Sequence, residues 1–537
     1  MDCRALPFRQ IPHQPKLFLH FLDNFSSVSG FYSHPPTMQA VKRAGRSLKY
    51  PRERREEVAA ALRAQNESLG AGAATLENVQ QLSKGAVAVV SGQQVGLFSG
   101  PAYAIYKALT AVQIAKELTD AGIAAVPVFW MATEDHDLEE VRCSTWFHEG
   151  KLTGFEMPGN GDAGHPVGAI SLGEEGKRLA DEAANLLAAG GGELLAGILR
   201  ESYGGSETYG SAFGKLFARL FAEQGLILLD PLDERLHRVA APILRQAVEQ
   251  RDAVDQALLQ RDKELERRDF PAQVKVTARS TLLFNMCKGL RQPITANGGK
   301  FSSGAQTWTR EELLRAVEEK PECFSPNALF RPVVQDYLLP TAASIAGPAE
   351  IAYFAQAEVI YRHLLGRMPV ILPRAAFTIV DAKAEKLLRR YGLKVEDVWA
   401  GPQELRRKME GRSVPKALGK NFDKNIKLSQ RTLAQLRKQM VRLDPTLTGA
   451  VETAQKKIGF QLEKLKRKAG RAQDQKTGLV SAHEQYLESL LYPHKTLQSR
   501  ELCFLPFLAR LGMAGLKELQ KLAASAGLKE HRILRLP

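Results

Sequence analysis

The chain has 537 residues, 44% of them hydrophobic, so a packed core is expected and global disorder is excluded. The formal charge of +15 points to nucleic acid as a partner class. The excess of Lys and Arg lies late in the chain, over 404–427 and 455–471, where Phe422 and Phe460 are the only aromatic residues. Such runs are typical of a solvated helix face, so a nucleic-acid partner is not expected.

Membrane and secretory segments are not expected either. No apolar run reaches the roughly 18 residues that a membrane helix needs, and the first residues lack the pattern of a secretory signal. The five cysteines have no CxxC spacing, which favours reduced thiols and gives no zinc motif. These features predict a cytoplasmic protein with no membrane partner and no protein-bound metal site.

The first part of the chain reads as alternating helices and strands. The sequence predicts a helix over 51–70 with Gly70 as its stop, then a buried strand over 85–90. A helix over 100–122 leads to a second buried strand over 123–132. Strand, helix and strand of these lengths make a βαβ unit, which predicts an α/β fold with a parallel sheet.

Two insertions are expected to interrupt this core, near 143–205 and near 265–327. The first is rich in glycine with helical pieces, and the second reads as short strands and hairpins. Within the second, "KFSSG" at 300–304 follows "NGG" and favours a hairpin turn over a phosphate loop. The sheet is expected to resume near Val333 and again over 368–381.

The rest of the chain reads as helical. Apolar residues recur at heptad-like spacing on both sides of "DPT" at 444–446, which predicts an antiparallel helical hairpin. Such a hairpin suits dimerisation or the bracing of a neighbouring domain. We therefore expect a core over 1–380, a helical coiled-coil domain over 381–495, and a helical segment over 496–537 that packs back on the core.

The stretch "VSGQQVGLFSGPAYAIYK" at 90–107 joins the first strand to the next helix. Glycines at such a turn let the backbone approach a phosphate, so Gly96 and Gly100 are candidates for a nucleotide site. The stretch has neither GxGxxG nor a Walker loop, so a plain connection is an equal alternative. Gln93 and Gln94 are paired amides in the same turn and are candidates for ligand contacts.

The stretch "TEDHDLEEV" at 133–141 follows the second strand without a break. Ligands of open parallel sheets bind at the carboxyl ends of strands. Packed carboxylates suit an ammonium group or Mg²⁺, and a histidine among them can act as an acid or a base. The alternative is a solvated helix N-terminus, where acidic residues are common. The candidates are Glu134, Asp135, His136 and Asp137.

A third polar group lies in an apolar stretch over 328–357. An arginine or an aspartate there is also compatible with a core salt bridge, and a glutamate just inside a helix start with an ordinary cap. The candidates are Arg331, Gln335, Asp336, Glu350 and Gln356.

These three stretches, together with "DNFSSVSGFY", "ILPRAAFTIVD" and "LYPHKTLQSREL", resemble the cysteine ligase family of bacillithiol biosynthesis. The resemblance covers nearly the whole chain in the same order. It implies a Rossmann-like core related to nucleotidyltransferases and class I synthetases, with connecting-peptide insertions. It also implies a coiled coil that supports a homodimer, and a ligase that joins cysteine to glucosaminyl-malate as the last step of bacillithiol biosynthesis.

The resemblance further implies ATP as the energy donor, with Mg²⁺ as its counter-ion. The His-x-Gly-His signature of class I synthetases is absent, so an acyl-adenylate and an acyl-phosphate both stay open as the activated intermediate. We expect His136 to be the base, next to Asp135, and the other acidic candidates and amides to hold substrate. The residues expected to face the nucleotide are Gly96, Ser99, Gly100, Tyr103 and Lys107. The alternatives are a non-catalytic ligand-binding dimer and an RNA-binding relative of the synthetases.

Overall fold

The computed structural model describes residues 2–159, 163–286, 289–410 and 412–536. The strands of this part of the chain are β1 Asp2–Pro7, β2 Val87–Gln93, β3 Ala125–Met131, β4 Cys143–His148, β5 Lys151–Glu156, β6 Ile227–Leu229, β7 Ser280–Asn285, β8 Gln292–Asn297, β9 Lys300–Ser303, β10 Gln306–Trp308, β11 Phe324–Pro326, β12 Thr341–Ala346, β13 Val370–Pro373, β14 Ala376–Val380 and β15 Glu530–Arg535.

The helices up to the end of the sheet region are α1 Lys16–Asp23, α2 Met38–Ser47, α3 Arg52–Ser68, α4 Ala73–Ser83, α5 Tyr103–Asp120, α6 Leu138–Val141, α7 Gly173–Ala189, α8 Glu193–Ser202, α9 Tyr209–Leu220, α10 Glu234–Glu249, α11 Arg251–Arg267, α12 Arg310–Glu319, α13 Arg331–Leu338 and α14 Pro348–Ile360. Those that follow are α15 Ala382–Arg390, α16 Val395–Trp399, α17 Pro402–Glu410, α18 Lys416–Leu443, α19 Thr448–Thr477, α20 Leu479–Leu491, α21 Gln498–Glu501, α22 Leu505–Leu511 and α23 Ala514–Leu522. None of the helices so described is long and apolar enough to cross a membrane.

The central sheet has the strand order β13-β12-β2-β3-β6, and all its neighbours are parallel. The predicted Rossmann-like α/β fold is thereby confirmed, with β2, α5 and β3 as the expected βαβ unit. From β2 the sheet is extended by β3 on one side and by β12 on the other. This change of direction opens a crevice at the carboxyl ends of β2 and β12, which is where such sheets bind ligands.

The later strands differ from the sequence prediction in two places. Val333 lies in α13 rather than in a strand, because Pro332 in the first turn favours a helix start, and residues 332–338 of this helix are all buried. The strand begins instead at Thr341. The predicted strand over 368–381 is two strands, and only β13 belongs to the central sheet; β14 pairs with β15 in a second sheet.

The insertions contain the elements that their composition predicts. The first contains the β4–β5 hairpin and helices α7 and α8. The second forms an antiparallel sheet with the order β10-β9-β8-β7-β11. The predicted hairpin at 300–304 is confirmed, since β9 and β10 are antiparallel and Gly304 has φ 56° at their turn.

Helices α18 and α19 form the predicted antiparallel hairpin. Lys466 Nζ reaches Asp423 Oδ1 at 2.7 Å near its base, and Arg437 reaches Glu452 at 2.8 Å near its tip. Asp444 caps the connecting turn by accepting the N–H of Thr446 at 2.8 Å. The predicted helical coiled-coil domain is therefore present.

The C-terminal segment differs from the expected all-helical form. It ends in β15, which pairs antiparallel with β1 and parallel with β14. The strand is only six residues long and carries four charged or histidine side chains, so its hydrophobic pattern is weak. The two ends of the chain thus meet in one three-stranded sheet next to the core.

Candidate active site

A cavity of about 630 Å³ lies over the carboxyl ends of the central strands. Residues that directly follow β2, β3, β12 and β13 line one side of it. The second insertion covers the other side, through residues 274–276, 280–284, 291 and 293–295. The cavity therefore occupies the crevice that the strand order creates.

Nine of the residues predicted from sequence line this cavity. They come from three separate stretches of the chain, which the sheet brings together. They are Gln93, Gln94, Tyr103, Lys107, Glu134, Asp135, His136, Arg331 and Glu350.

Gly96, Ser99 and Gly100, expected to face a nucleotide, do not line the cavity. Ser99 is fully buried, and the turn packs against protein on its outer side. The N–H of Phe98 donates to the hydroxyl of Tyr203 at 2.8 Å, and Cys503 Sγ donates to the carbonyl of Phe98 at 3.2 Å. Because the backbone of this turn is already bonded within the protein, it fits the plain connection that the sequence left as an alternative.

The two glycines of this turn have a steric role. A Cβ on Gly96 would lie 2.8 Å from the Cα of Gly100, and Gly100 itself has φ 64°. Phe98 and Ser99 also have positive φ, so the chain reverses through a strained left-handed segment. Glycine is needed here for close packing rather than for phosphate contact.

Four other candidates lie outside the cavity, and each has a supporting contact instead. Asp137 caps α6 by accepting the N–H of Glu140, at 3.3 Å. Gln335 accepts from Arg331 at 3.1 Å and so orients that guanidinium. Asp336 is fully buried and accepts from the Tyr361 hydroxyl and from Gln335.

Gln356 forms hydrogen bonds to the backbone of the second insertion. Its Oε1 accepts the N–H groups of Gln273 and Val274 at 2.9 and 3.0 Å, and its Nε2 donates to the carbonyl of Val274. Val274 lines the cavity, while Gln356 does not. The predicted substrate contacts of Asp137, Gln335, Asp336 and Gln356 are therefore replaced in this arrangement by contacts within the protein.

Lys107 is buried in the wall of the cavity. Its side chain is 3% exposed, and Nζ donates to the carbonyl of Gly92 at 2.8 Å and to Gln93 Oε1 at 2.7 Å. It also forms an ion pair with Glu350. Burial lowers the pKa of Lys107, and the Glu350 carboxylate opposes that shift. Burial alone would raise the pKa of Glu350, but Lys107 and the N–H of Gly347 hold it below its usual value.

A second cluster joins the loop after β3 to the second insertion. The Asp135 carboxylate accepts from Gln94 Nε2 and, at 3.3 Å, from Arg291. Arg291 also lies 2.9 Å from His136 Nδ1. An arginine can only donate, so Nδ1 is the acceptor and the proton of the neutral ring lies on Nε2. In this arrangement the Nε2–H of His136 is a hydrogen-bond donor toward the cavity. Nδ1 can take up a proton as a base only if Arg291 moves away from it.

Glu134 is a deeply buried carboxyl group of the site, 6% exposed. Burial raises its pKa to about 8; the nearby Arg291 lowers it, while the nearby Asp230 raises it further. Glu134 is therefore largely protonated at neutral pH. Its Oε1 lies 3.4 Å from Nε2 of the buried His237.

Two arginines near Tyr103 form a cationic part of the cavity wall, called here the cationic end. Arg374, directly after β13, and Arg500, at α21, both line it near Tyr103. Burial and the neighbouring Arg500 lower the pKa of Arg374 to about 10. No hydrogen bond or ion pair links either guanidinium to a carboxylate among the described residues, so this end of the cavity is suited to an anion.

Sequence reasoning missed Glu140, Arg291, Arg374 and Arg500. The sequence could have identified Arg374 as a candidate, since it follows the apolar run of β13 in the same way that Gln93 ends β2. Arg291 and Arg500 could not be identified in this way, because each belongs to a segment that reaches the site only through the tertiary fold.

Two polar atoms in the cavity wall, Gln94 Oε1 and Trp130 Nε1, are buried without a hydrogen-bond partner. Buried polar atoms are normally paired, so these two atoms are exceptions within the cavity wall. The described residues contain no cluster of three or more metal-binding side chains. Mg²⁺ brought in with phosphates needs only one or two protein carboxylates, and Glu140 and Asp135 are the candidates here.

Comparisons with known proteins agree with the resemblance read from the sequence. The profile of the bacillithiol biosynthesis BshC N-terminal Rossmann-like domain matches residues 1–375, and that of the BshC C-terminal coiled-coil domain matches 377–536. Three relatives carry the name "Putative cysteine ligase BshC". The one from Koribacter versatilis is 41% identical, over 100% of this chain and 99% of its own length. Those from Solibacter usitatus and Salinibacter ruber are 37% and 32% identical, over 96% and 94% of both chains. The chain therefore belongs to the BshC family of bacillithiol biosynthesis.

Proposed function

We propose that this protein joins L-cysteine to glucosaminyl-malate in an ATP-dependent amide-forming reaction, and that it does so in the cytosol. The names of its relatives support a ligase of bacillithiol biosynthesis. The observation that carries the proposal is that one cavity at the carboxyl ends of the sheet contains both a group of carboxylates, Asp135 and Glu140, called here the acidic end, and the cationic end formed by Arg374 and Arg500. The ammonium group of cysteine is positively charged and suits the acidic end. The carboxylates of glucosaminyl-malate are negatively charged and suit the cationic end.

The acidic end is proposed to hold the cysteine ammonium. Burial raises the pKa of Glu140, and the charges of Asp135 and Asp137 raise it further. A cation placed among these carboxylates relieves their repulsion, which favours binding of an ammonium group. Gln93 donates toward Glu140 at 3.5 Å, and Gln94 donates to Asp135, so the two amides fix the carboxylates in place.

Asp135 and His136 are proposed to act at the reacting carboxyl group. With Nδ1 occupied by Arg291, the Nε2–H of His136 is available to donate to an oxygen that gains negative charge. Arg291 holds the ring in that orientation, and Asp135 in turn accepts a hydrogen bond from Arg291. This role as a hydrogen-bond donor differs from the role of base that the sequence predicted for His136. Another group must then act as the base.

The cationic end is proposed to hold carboxylates or phosphates. Arg374 and Arg500 repel each other, and an anion between them offsets that repulsion. Lys107 is less suited to this, because its three donors are already used by Gly92, Gln93 and Glu350. ATP is proposed to activate the cysteine carboxylate as an acyl-adenylate or an acyl-phosphate before the glucosamine amine attacks.

A turnover assay tests the proposal. Purified protein is incubated with cysteine, glucosaminyl-malate, ATP and Mg²⁺, and thiols are labelled and identified by mass spectrometry. Bacillithiol that forms only when all three substrates are present supports the ligase, and release of AMP or ADP identifies the intermediate. Folded protein that binds ATP or glucosaminyl-malate without product contradicts it and supports the alternative of a non-catalytic ligand-binding protein.

A homodimer is proposed to form through the α18–α19 hairpin. Several large apolar side chains stay exposed on it in the isolated chain, namely Leu418, Leu428, Leu436, Leu443, Ile458, Phe460 and Leu465. Exposed apolar surface of this extent on a heptad-like hairpin is typical of an interface. The same hairpin carries sixteen Lys and Arg and five Asp and Glu over 416–477, which keeps the faces outside the interface solvated.

A further inference from the structure

Gln498 is a buried residue of the stretch "LYPHKTLQSREL" at 491–502, and it lies outside the cavity wall. It is 1% exposed, and the hydrogen bonds of its side chain go to backbone groups. Its Oε1 accepts the N–H of Ile379 at 2.7 Å, and its Nε2 donates to the carbonyls of Ile379 and Leu490 at 2.8 Å each. Gln498 therefore ties helix α21 to strand β14 and to helix α20.

The position of Arg500 depends on the backbone of α21. Arg500 comes two residues after Gln498, and α21 is only one turn long, from Gln498 to Glu501. A helix this short is not stable by itself, so its place is set by contacts with the rest of the protein. The guanidinium of Arg500 lines the cavity, yet among the described residues no hydrogen bond or ion pair holds it there. What fixes α21 therefore also fixes this charge.

Gln498 links the two segments that carry the cationic end. Strand β14 contains Ile379 and begins at Ala376, two residues after Arg374. Burial is the main cause of the lowered pKa of Arg374, and the charge of Arg500 lowers that pKa further, so the two guanidiniums are close enough to repel each other. The bonds from Gln498 to Ile379 oppose this repulsion, because they keep α21 against β14.

The backbone before Arg500 and the residue after it are also held in place. His494 and Lys495 have φ of 48° and 61°, a left-handed conformation that is unfavourable for residues other than glycine. Glu501 Oε1 accepts from Thr145 Oγ1 at 3.0 Å and lies 2.9 Å from His494 Nδ1. Backbone strain of this kind persists only where the surrounding contacts fix the chain, so the fold determines where Arg500 lies.

We propose that Gln498 is a positioning residue for substrate binding, which fixes α21 so that Arg500 meets an anionic group of the substrate in the cavity. This inference rests on the proposed function, in which Arg374 and Arg500 hold carboxylates or phosphates. Gln498 does not touch the substrate and acts through Arg500. Without its amide, α21 moves away from β14, and the displaced guanidinium forms a weaker contact with the anion.

The test compares Gln498→Met, Arg500→Met and the variant that carries both substitutions. Met is close to Gln in size and has no hydrogen-bond donor. We expect Gln498→Met to raise, by about tenfold, the KM for the same substrate that Arg500→Met affects, while kcat and the KM for cysteine stay within about twofold. The double variant is expected to have the KM of Arg500→Met alone, because the residue through which Gln498 acts is then absent.

The matched control is Asn66→Leu. Asn66 is a fully buried residue of α3 outside the cavity wall, and its side chain also forms three hydrogen bonds to backbone groups. This variant is expected to lower the stability of the protein and to leave every KM unchanged, which separates positioning from a general loss of stability. Gln498→Ala is the second variant if Gln498→Met does not fold, because the space left by Ala lets water bond the three backbone groups. The same rise in KM is expected from it, since α21 is no longer tied directly to β14.

Unchanged KM values in folded Gln498 variants, together with a raised KM in Arg500→Met, overturn the positioning role. Effects that multiply in the double variant also overturn it, because Gln498 then acts independently of Arg500. An Arg500→Met variant with unchanged KM values overturns it as well. If the unchanged protein makes no amide product, the proposed function fails separately. The dissociation constants of glucosaminyl-malate and ATP, measured by calorimetry in the same variants, then take the place of KM in the comparison.

Discussion

Lys107 forms a buried ion pair with Glu350, and the pair joins the helix after β2 to the helix after β12 across the cavity. Lys107→Met removes the charge that compensates Glu350 and leaves the carbonyl of Gly92 without its donor. Removing one partner of a buried pair costs about 3 to 5 kcal/mol, and we expect a loss near the lower bound because Glu350 is 23% exposed. Denaturant titration measures the free energy of unfolding.

The double variant Lys107→Met with Glu350→Gln is the control for this prediction. It removes the uncompensated charge, so it is expected to be more stable than Lys107→Met alone. A single variant as stable as the unchanged protein contradicts the structural role of the pair.

The same pair predicts an acid sensitivity. The pKa of Glu350 is lower in the folded protein than its ordinary value, so the stability it adds is present above about pH 4.3. That contribution is lost as the pH falls through the lower folded pKa, because the carboxylate then takes up a proton. We expect the stability difference between the unchanged protein and Glu350→Gln to shrink on acidification below pH 4. A difference that does not change with pH contradicts the assignment.

The sequence predicted the part of the site that comes from strand ends. Gln93, Glu134 and Glu350 each stand just beyond a short apolar run, and a parallel sheet brings such positions together. Arg291 and Arg500 had no such signal, because an inserted sheet and a C-terminal segment bring them to the cavity over long distances in the chain. Local pattern does not encode contacts of that kind.

The glycine turn shows a different limit. Glycines between a strand and a helix predict a tight turn, and the structure has one. What occupies the outer side of the turn depends on Tyr203 and Cys503, which are distant in sequence. The pattern was therefore sufficient for the backbone shape but not for the choice between a phosphate and protein contacts.

The buried turn leads to a prediction that distinguishes a turn in contact with phosphate from a turn in contact with protein. Ser99→Ala removes a hydroxyl that is fully buried outside the cavity, so the KM for ATP is expected to change less than twofold. Gly100→Ala places a Cβ on a residue with φ 64° and ψ −160°, a region essentially restricted to glycine, and is expected to lower stability by about 1 to 3 kcal/mol. Steady-state kinetics and denaturant titration measure the two effects. A large rise in the KM for ATP in Ser99→Ala, with unchanged stability, would restore the nucleotide role of the turn.

The cationic end of the cavity predicts a change in substrate affinity. Arg374→Met and Arg500→Met each remove a guanidinium proposed to contact an anionic group, and one charge-assisted contact is worth about 1.5 to 3 kcal/mol. We expect the KM for glucosaminyl-malate or for ATP to rise about 10- to 100-fold, and the substrate affected identifies which anion binds there. Arg362→Met, at an exposed position with a side chain 62% exposed, is the control. Unchanged KM values for both substrates in both variants contradict the proposed anion site.

The exposed apolar residues of the α18–α19 hairpin predict how the chain associates. Leu428 and Phe460 are each 57% exposed, and burial of such side chains contributes about 1.5 to 3 kcal/mol each. A charge placed at either position carries an additional desolvation cost in an interface, so Leu428→Glu and Phe460→Glu are expected to shift the protein from dimer to monomer. Sedimentation velocity at several concentrations measures the mass.

Leu194→Glu makes the same change at a residue that is 65% exposed on α8, and it is expected to leave the mass unchanged. If the hairpin variants stay dimeric while folded, the interface lies elsewhere; if the unchanged protein is monomeric, the apolar stripe has another role, such as bracing the domain.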